Sequence, residues 1–345
     1  MKVVFSVLPA VSTMQQGDLI EKLIREKGFE VDRKKNITIY DIRDKDTYAV
    51  LWFTLCTVPY LGDAVFPYLY CQKPKAVYVT IEGVPTKANL RHTNIPKIEF
   101  IANSKFTADC LKKAGLKVKD VVHHAINIDA CRRIMQDAEK YREKFHAKYN
   151  NKCIILYVGR HDPRKQLQLL ATAQEILTAE GFTDYVLLLH TEASARSLMW
   201  VGNVEFTAGF GNLNYQQVLR LMALADYLVF PSVCEGFGLP VLEANAVGTP
   251  VIHCWFPPLS EFSNSEFNFV FDYSYEKLVS QDNYQWWIFH MYEPEHLADM
   301  IKFAVEVWKN DKEQYQEYRA KAHEWASQWD YRRIYPKLLR HIGIE

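Results

Sequence analysis

Two glutamates, Glu235 and Glu243, lie eight positions apart in a stretch rich in glycine and proline. Carboxylates accept hydrogen bonds from sugar hydroxyls and stabilise positive charge that develops in a transition state. The pair alone is weak support for such chemistry, because ion pairs and solvated helix faces also produce it. Its surroundings are informative, since the chain from Pro231 reads PSVCEGFGLPVLEANAVGTPV.

This stretch predicts a strand, a sharp loop, a helix, a turn and a second strand. Gly236 and Gly238 allow a close backbone approach or a positive φ, and Pro240 suits the first turn of a helix. Such a loop follows the carboxyl end of a strand, where free N–H groups and the helix dipole attract anions. We therefore predict a phosphate site, with Glu235 in the loop and Glu243 in the first turn of the helix.

Apolar runs of strand length alternate with amphipathic runs of helix length along the chain, which predicts an α/β protein with parallel sheets. One series of strands runs from Val3–Val7 to Ile98–Ala102, and a second begins at Cys153–Val158. Two doubly wound sheets follow, in domains 1–148 and 149–330. The segment Tyr273–Tyr292 is unusually aromatic, and its apolar residues follow no clear period. This pattern favours an irregular packed insertion. The alternative is a lid or a loop that binds the acceptor.

The 345 residues carry 41 basic and 41 acidic side chains, which argues against a protein that coats nucleic acid. The charge is unevenly divided, at +8 over residues 1–150 and −8 over residues 151–345. Two interpretations stay open. The difference is drift in surface composition, or the basic half faces an anionic acceptor or a membrane surface.

Seven cysteines occur without a CxxC pair, so neither a zinc site nor a disulfide framework is indicated and a reducing cytoplasm is expected. The apolar run at the first residues is too short for a signal peptide.

Tyr48–Tyr70 approaches the length of a membrane span, but Pro59, Asp63 and Pro67 interrupt it. We interpret it as a strand followed by a loop and a short helix.

At Glu235 and Glu243 the sequence resembles the family 4 retaining glycosyltransferases, whose hallmark is two glutamates separated by seven residues within a motif such as EGFGLP-x-x-EA. The resemblance extends to Val158-Gly159-Arg160 with Lys165, and it is weaker over residues 1–130. It implies the GT-B architecture, in which two facing Rossmann-like domains enclose a cleft. It also implies that helix 331–345 returns to the first domain and that hinges lie near 145–152 and 325–330.

The resemblance implies transfer of a sugar from a nucleoside-diphosphate sugar to an acceptor hydroxyl with retention of configuration. The acceptor, a glycan, lipid or small molecule, would bind to the first domain, and no obligatory metal or other cofactor is implied. By the same resemblance Arg160 and Lys165 hold the donor diphosphate, Glu235 orients the transferred sugar and Glu243 binds ribose. The diphosphate would also contact the amides of Gly236, Phe237, Gly238 and Leu239.

Two positions depart from the family pattern. Ser12-Thr13 stands where the family has a Gly-Gly turn that approaches the donor, and Glu82 follows the strand after which the family often has a histidine. Glu82 replaces that histidine, contacts an unusual sugar or is a loop carboxylate without a role. His92, His123 and His124 fit surface or core positions better than catalytic ones.

Two other functions compete with sugar transfer. A Rossmann oxidoreductase would show G-x-G-x-x-G after the first strand and an acid about 20 residues further on, and the chain has neither. The alternative that stays open is a module that binds sugar nucleotides or proteins without catalysis. We predict a cytoplasmic enzyme that binds no nucleic acid, with peripheral membrane contact through the basic half as a further alternative.

Overall fold

The computed structural model describes residues 1–55, 58–86, 90, 95–198, 201–207, 209–280 and 284–345. His92 therefore lies outside the described residues. The amino-terminal half contains β1 Lys2–Val7, α1 Val11–Glu26, β2 Glu30–Lys34, α2 Ile39–Arg43, β3 Thr47–Leu55, α3 Val58–Tyr70, β4 Lys75–Thr80, β5 Gly83–Pro85, β6 Glu99–Ala102, α4 Lys105–Lys113 and β7 Lys117–Val121.

The carboxyl-terminal half begins with a long helix and contains three further helices after its last strand. Its elements are α5 Ile128–Lys148, β8 Cys153–Val158, α6 Leu167–Ala179, β9 Tyr185–His190, β10 Val204–Phe206, α7 Tyr215–Leu224, β11 Tyr227–Phe230, α8 Leu239–Ala246, β12 Val251–Cys254, β13 Phe269–Phe271, β14 Tyr275–Val279, β15 Gln285–Met291, α9 Pro294–Asn310, α10 Lys312–Ala326 and α11 Tyr331–Arg340. Within the described ranges, no helix combines the length and the apolar character needed to cross a membrane.

Two parallel sheets of six strands form the two halves, with strand orders β2-β1-β3-β4-β6-β7 and β10-β9-β8-β11-β12-β13. Their central strands are buried on both faces, as expected of sheets covered by crossover helices. The predicted α/β class with two doubly wound sheets is therefore confirmed. In each sheet the strand order reverses beside the first strand, between β1 and β3 and between β8 and β11, and such reversals open a crevice at the carboxyl ends of the strands.

The chain crosses between the halves at two adjacent points. Ile126 and Asp330 form an isolated parallel bridge, and the Asp330 carboxylate accepts the N–H of Ile128 at 3.1 Å. Helix α5 packs in the core of the second half through Ile128, Cys131 and Ala138. The domain limits of 1–148 and 149–330 and the hinge positions stay predictions, although this packing places α5 with the second sheet.

Helix α11 packs against the first sheet and against α1. Its buried residues Tyr331, Tyr335, Leu338 and Leu339 share a core cluster with residues of β1 and α1. Pro336 is tolerated inside this short helix. The carboxyl-terminal helix thus completes the first core after the chain has formed the second.

The described residues of the aromatic segment form two paired strands, not the irregular insertion that its sequence favoured. Strands β14 and β15 pair antiparallel, and β15 also pairs with β5 of the first half, with Trp286 opposite Val84. The sequence hides this period because β15 is buried on both faces over most of its length, so its side chains do not alternate between apolar and polar.

Helix α1 begins at Val11, close behind the end of β1. Ser12 and Thr13 therefore lie in the first turn of a helix and not in a loop. The Thr13 hydroxyl donates to the carbonyl oxygens of Leu8 and Ala10 at 2.7 and 2.9 Å, which holds this turn against the end of β1.

Truncating the docked face of α11 should destabilise the first half. We expect Leu338→Ala, at a fully buried position, to lower the free energy of unfolding by about 2 to 5 kcal/mol, because it leaves a cavity in the core. The exposed Arg340→Ala on the same helix should change it by less than about 0.5 kcal/mol. Urea denaturation followed by circular dichroism measures both, and equal effects would contradict the packing described.

Candidate functional site

The loop after β11 carries Glu235 at the carboxyl edge of the second sheet. Its carboxylate is buried, with a side chain that is 7% exposed. Lys165 donates to Oε1 at 2.5 Å, and Nη1 of Arg164 lies 3.3 Å from Oε2. A carboxylate this deep in the protein needs such partners, since an unpaired buried charge is strongly unfavourable.

Lys165 and Arg164 come from a short turn, Pro163–Lys165, that follows β8. The Asp162 side chain accepts the N–H of Arg164, and Gln166 leaves the turn in the left-handed region at φ 47°. Because β8 and β11 are neighbours at the strand-order reversal, the two loops that follow them meet at one sheet edge. The fold therefore brings together Lys165 and Glu235, which the resemblance assigns to the diphosphate and to the transferred sugar.

Glu82 reaches the same cluster from the other half of the chain. It follows β4, and its Oε1 lies 3.2 Å from Nη2 of Arg164. Arg164 thus bridges Glu82 and Glu235, and the two sheets meet through a network of two carboxylates and two cations. Arg164 is the residue that the sequence analysis missed, although the adjacent bases in Pro163-Arg164-Lys165 were a visible signal.

The charges in this network shift one another's protonation. Burial would raise the pKa of Glu235, but the charges of Lys165 and Arg164 outweigh it and hold the pKa below its usual value. Burial raises the pKa of Glu82 despite the attraction of Arg164. Burial also lowers the pKa of Lys165, which Glu235 only partly offsets. Glu235 is therefore the carboxylate held most firmly in its charged form.

The loop that joins Glu235 to α8 presents free backbone donors. Across the described part of the chain, no acceptor is bonded to the N–H groups of Gly236, Phe237 or Gly238, and all three residues are buried. Gly238 adopts φ 94° before Leu239 begins α8. Buried amides are nearly always paired, so three free ones at a helix start, beside Lys165 and Arg164, form a cradle suited to an anion.

Glu243 lies in the second turn of α8, not the first as predicted, because the helix begins at Leu239. Its side chain is buried, near Tyr215 at the start of α7. Burial raises the pKa of Glu243 to about 7. The predicted role in binding ribose stays a prediction.

Other predicted residues lie outside the charged network. The Arg160 side chain is 77% exposed and its Nε lies 3.3 Å from Glu192 Oε1, so the structure does not bring it to Glu235. Ser12 and Thr13 lie at the start of α1. Their predicted contact is with the donor and not with the charged side chains of this network. Their roles stay predictions.

The histidines near this seam differ in environment. His124 is buried, and burial lowers its pKa to about 3, so the ring is neutral. The Nε2–H group of His123 donates to the Glu261 carboxylate at 2.8 Å across the two halves. Glu261 also accepts the N–H groups of Lys105 and Phe106 at the start of α4, at 2.8 and 2.9 Å.

Comparisons with known proteins agree with this geometry. The family described as "Glycosyl transferases group 1" matches residues 137–325, which is more than half of the chain. The chain is 28% identical over 335 residues to "Uncharacterized glycosyltransferase 335" of Sulfolobus islandicus rod-shaped virus 1, covering 93% of this chain and 94% of that protein. It is 34% identical over 103 residues to the "O-antigen chain mannosyltransferase B" of Escherichia coli, covering 28% of this chain and 27% of that protein.

Solved structures share the fold over nearly the whole chain. Anabaena Alr3699/HepE, whose crystal structure holds UDP and glucose, has a TM-score of 0.71 at 16% identity and covers 99% of both chains. A glycosyltransferase from Rickettsia africae has a TM-score of 0.70 at 14% identity, with 99% of this chain and 98% of that chain covered. At these identities the likeness shows the fold, which confirms the predicted GT-B architecture of two Rossmann-like domains.

The raised pKa of Glu243 makes the stability of the protein depend on pH. The folded chain keeps a proton up to about pH 7, while the unfolded chain loses it near pH 4.5, so the free energy of unfolding falls between these values. Glu243→Gln removes this loss. We expect the variant to gain up to about 3 kcal/mol over the wild type between pH 4.5 and 8.

Urea denaturation at several pH values measures the difference. Glu306→Gln, which changes an exposed carboxylate on α9, is the matched control and should follow the wild type. A Glu243→Gln curve parallel to that of the wild type would show that Glu243 is not buried in the protonated form at neutral pH.

Proposed function

The chain belongs to the family of group 1 glycosyl transferases, and we propose that it is a retaining enzyme of the family 4 type that uses a nucleoside-diphosphate sugar. The observation that carries the proposal is the cradle at the start of α8. Three buried amide donors without partners in the described structure lie beside two half-buried cations, Arg164 and Lys165. A diphosphate supplies the oxygen acceptors and the negative charge that such a cradle lacks.

Lys165 and the amides of Gly236, Phe237 and Gly238 would bind the diphosphate, with Leu239 at the helix start. Fixed cations and helix dipoles stabilise the charge of a leaving diphosphate, which is the work that a metal ion would otherwise do. Arg160 would join them by leaving Glu192. That exchange costs little free energy, because the Arg160 side chain is already 77% exposed and a surface ion pair contributes little to stability.

Glu235 would lie next to the transferred sugar. The bond between the anomeric carbon and the diphosphate oxygen breaks, and its electron pair leaves with the diphosphate. The acceptor oxygen forms the new bond on the same face, and its proton passes to the departing phosphate oxygen. The charged carboxylate of Glu235 supports the positive charge that develops on the sugar, and no side chain acts as the base.

Glu82 is a candidate contact for the transferred sugar because it enters the cluster from the opposite sheet. Its carboxyl contacts Arg164 and is about one-quarter exposed, so it keeps acceptor positions for a hydroxyl group. Glu243 would bind the ribose from beneath the loop. The place of Glu82 beside Arg164 supports the first assignment, and the resemblance at Glu243 supports the second.

The acceptor would enter a cavity of about 300 Å³ at the carboxyl ends of β1, β2 and β3. This cavity lies where the strand order of the first sheet reverses, as the cradle does in the second. Lys35 lines it and has no ion pair in the described residues, and the indole N–H of Trp52 is buried without a partner there. Among the described residues that line the cavity none carries a carboxylate, so we propose an acceptor that carries an anionic group.

Donor binding tests the proposal directly. A thermal-shift screen with UDP-, GDP-, ADP- and dTDP-hexoses should find a stabilising donor, since a ligand at 100 times its Kd adds about 2.7 kcal/mol. Mannose and glucose donors come first, because relatives are named mannosyltransferases and one structural neighbour holds UDP and glucose. Binding without transfer or hydrolysis would favour the non-catalytic alternative.

Lys165→Ala should lower kcat at least tenfold and raise the donor KM by less, because its partner gains charge as the bond breaks. The exposed Lys302→Ala, which pairs with Glu180 on the surface, is the control and should leave both values unchanged. Steady-state kinetics and nucleoside binding measure the effect. Equal weakening of nucleoside and nucleoside-diphosphate binding by Lys165→Ala would contradict the assignment.

Acceptor choice is tested with mannose 6-phosphate, glucuronic acid and methyl mannoside, and with anionic and neutral liposomes as separate arms. We expect transfer to an anionic sugar, and Lys35→Gln should raise its KM roughly fivefold without changing donor KM, because one charged hydrogen bond is lost. Binding to anionic liposomes with no use of the sugars would assign the basic half to membrane contact. Preference for the neutral sugar would contradict the anionic acceptor.

A further inference from the structure

The carbonyl group of Gly236 is held by two side chains of the other half. Asn103 follows β6 directly, and Ser104 caps the start of α4. The Asn103 Nδ2 group donates to the Gly236 oxygen at 3.2 Å, and the Ser104 hydroxyl donates to the same oxygen at 3.3 Å. Both side chains are fully buried, so water does not compete for this contact.

A chain of hydrogen bonds assigns the orientation of the Asn103 amide. The Tyr78 hydroxyl donates to the Val122 carbonyl oxygen at 2.8 Å, so its oxygen accepts the Nδ1–H of His124, also at 2.8 Å. The Nε2 atom of the neutral His124 ring is then an acceptor, 3.2 Å from Asn103 Nδ2.

The other end of the amide is fixed as well. The Thr107 hydroxyl donates to Asn103 Oδ1 at 2.7 Å, and Nδ2 also lies 2.9 Å from Thr80 Oγ1. The donor end of Asn103 therefore faces Gly236 and its acceptor end faces α4. An inverted amide would set a carbonyl oxygen against the Gly236 oxygen.

Holding this carbonyl fixes the next amide. The peptide group is planar and trans, so the C=O of Gly236 and the N–H of Phe237 point in opposite directions. With the oxygen bound on the side of the first sheet, the N–H of Phe237 is directed away from that sheet. A Cβ at Gly236 would lie 2.5 Å from Thr80 Oγ1, so the close approach requires glycine.

We propose that Asn103, assisted by Ser104, is a positioning residue that aims the Gly236–Phe237 peptide at the donor diphosphate. The inference rests on the proposed donor site. It makes that site dependent on contact between the halves, because the amide that binds the anion is oriented by side chains from the opposite sheet. Neither residue needs to touch the donor.

Asn103→Leu keeps the volume of the side chain and removes the donors to Gly236. We expect it to weaken binding of the nucleoside diphosphate that the wild type prefers by roughly tenfold, with the affinity for the matching nucleoside unchanged. Isothermal titration calorimetry with the two ligands measures the contrast. A merely structural role would lower the melting temperature without changing the ratio of the two affinities.

Ser104→Gly is the second variant, because glycine is an adequate helix cap and the change removes the hydroxymethyl group that donates to Gly236. We expect a loss of about threefold in diphosphate affinity. Asn127→Gly removes the cap of α5 away from the loop and is the matched control, with both affinities unchanged.

The outcomes separate the two proposals. If the wild type binds no nucleoside diphosphate, the proposed function fails. If the wild type binds one and both Asn103→Leu and Ser104→Gly bind it equally well, the donor site stands and the positioning role of Asn103 is overturned. If Asn103→Leu does not fold, Ser104→Gly against Asn127→Gly gives the answer.

Discussion

A carboxylate as buried as that of Glu235 is stable only with cations or hydrogen-bond donors against it. Lys165 and Arg164 supply the cations, and each comes from the loop after β8. The loops after β8 and β11 lie at one edge of the sheet because these two are neighbouring parallel strands, and this placement keeps the charge paired. It also explains why the cations lie beside the cradle before any anion is bound.

The second sheet supplies the charges, but the first sheet completes their environment. Glu82 pairs with Arg164, and β5 pairs with β15, so the edge of one half is covered by the other. Glu261 caps the start of α4 in return. Contact between the halves therefore includes directional ion pairs and hydrogen bonds beside the apolar packing of Ile288 in the first core.

Local patterns predicted much of this molecule. The hydrophobic periods of strands and helices indicated both sheets. A helix buries one apolar stripe and a central strand buries both faces, and each pattern can be recognised within the element's own sequence. The glycines and Pro240 predicted the loop at the start of α8, because these residue types are selected by the backbone conformation they must adopt. The hairpin β14–β15 escaped prediction, since pairing with β5 is a long-range event that leaves no alternation in the sequence.

The sequence by itself determined the α/β class and the loop that carries Glu235, since hydrophobic period and loop chemistry are local properties. Only the tertiary structure showed that Arg164 joins Glu82 to Glu235 while Arg160 points to Glu192. Adjacent basic residues look alike in sequence. Which of them is buried depends on side-chain direction and on the carboxylates that other elements bring, and those are set by packing between parts of the chain that lie far apart.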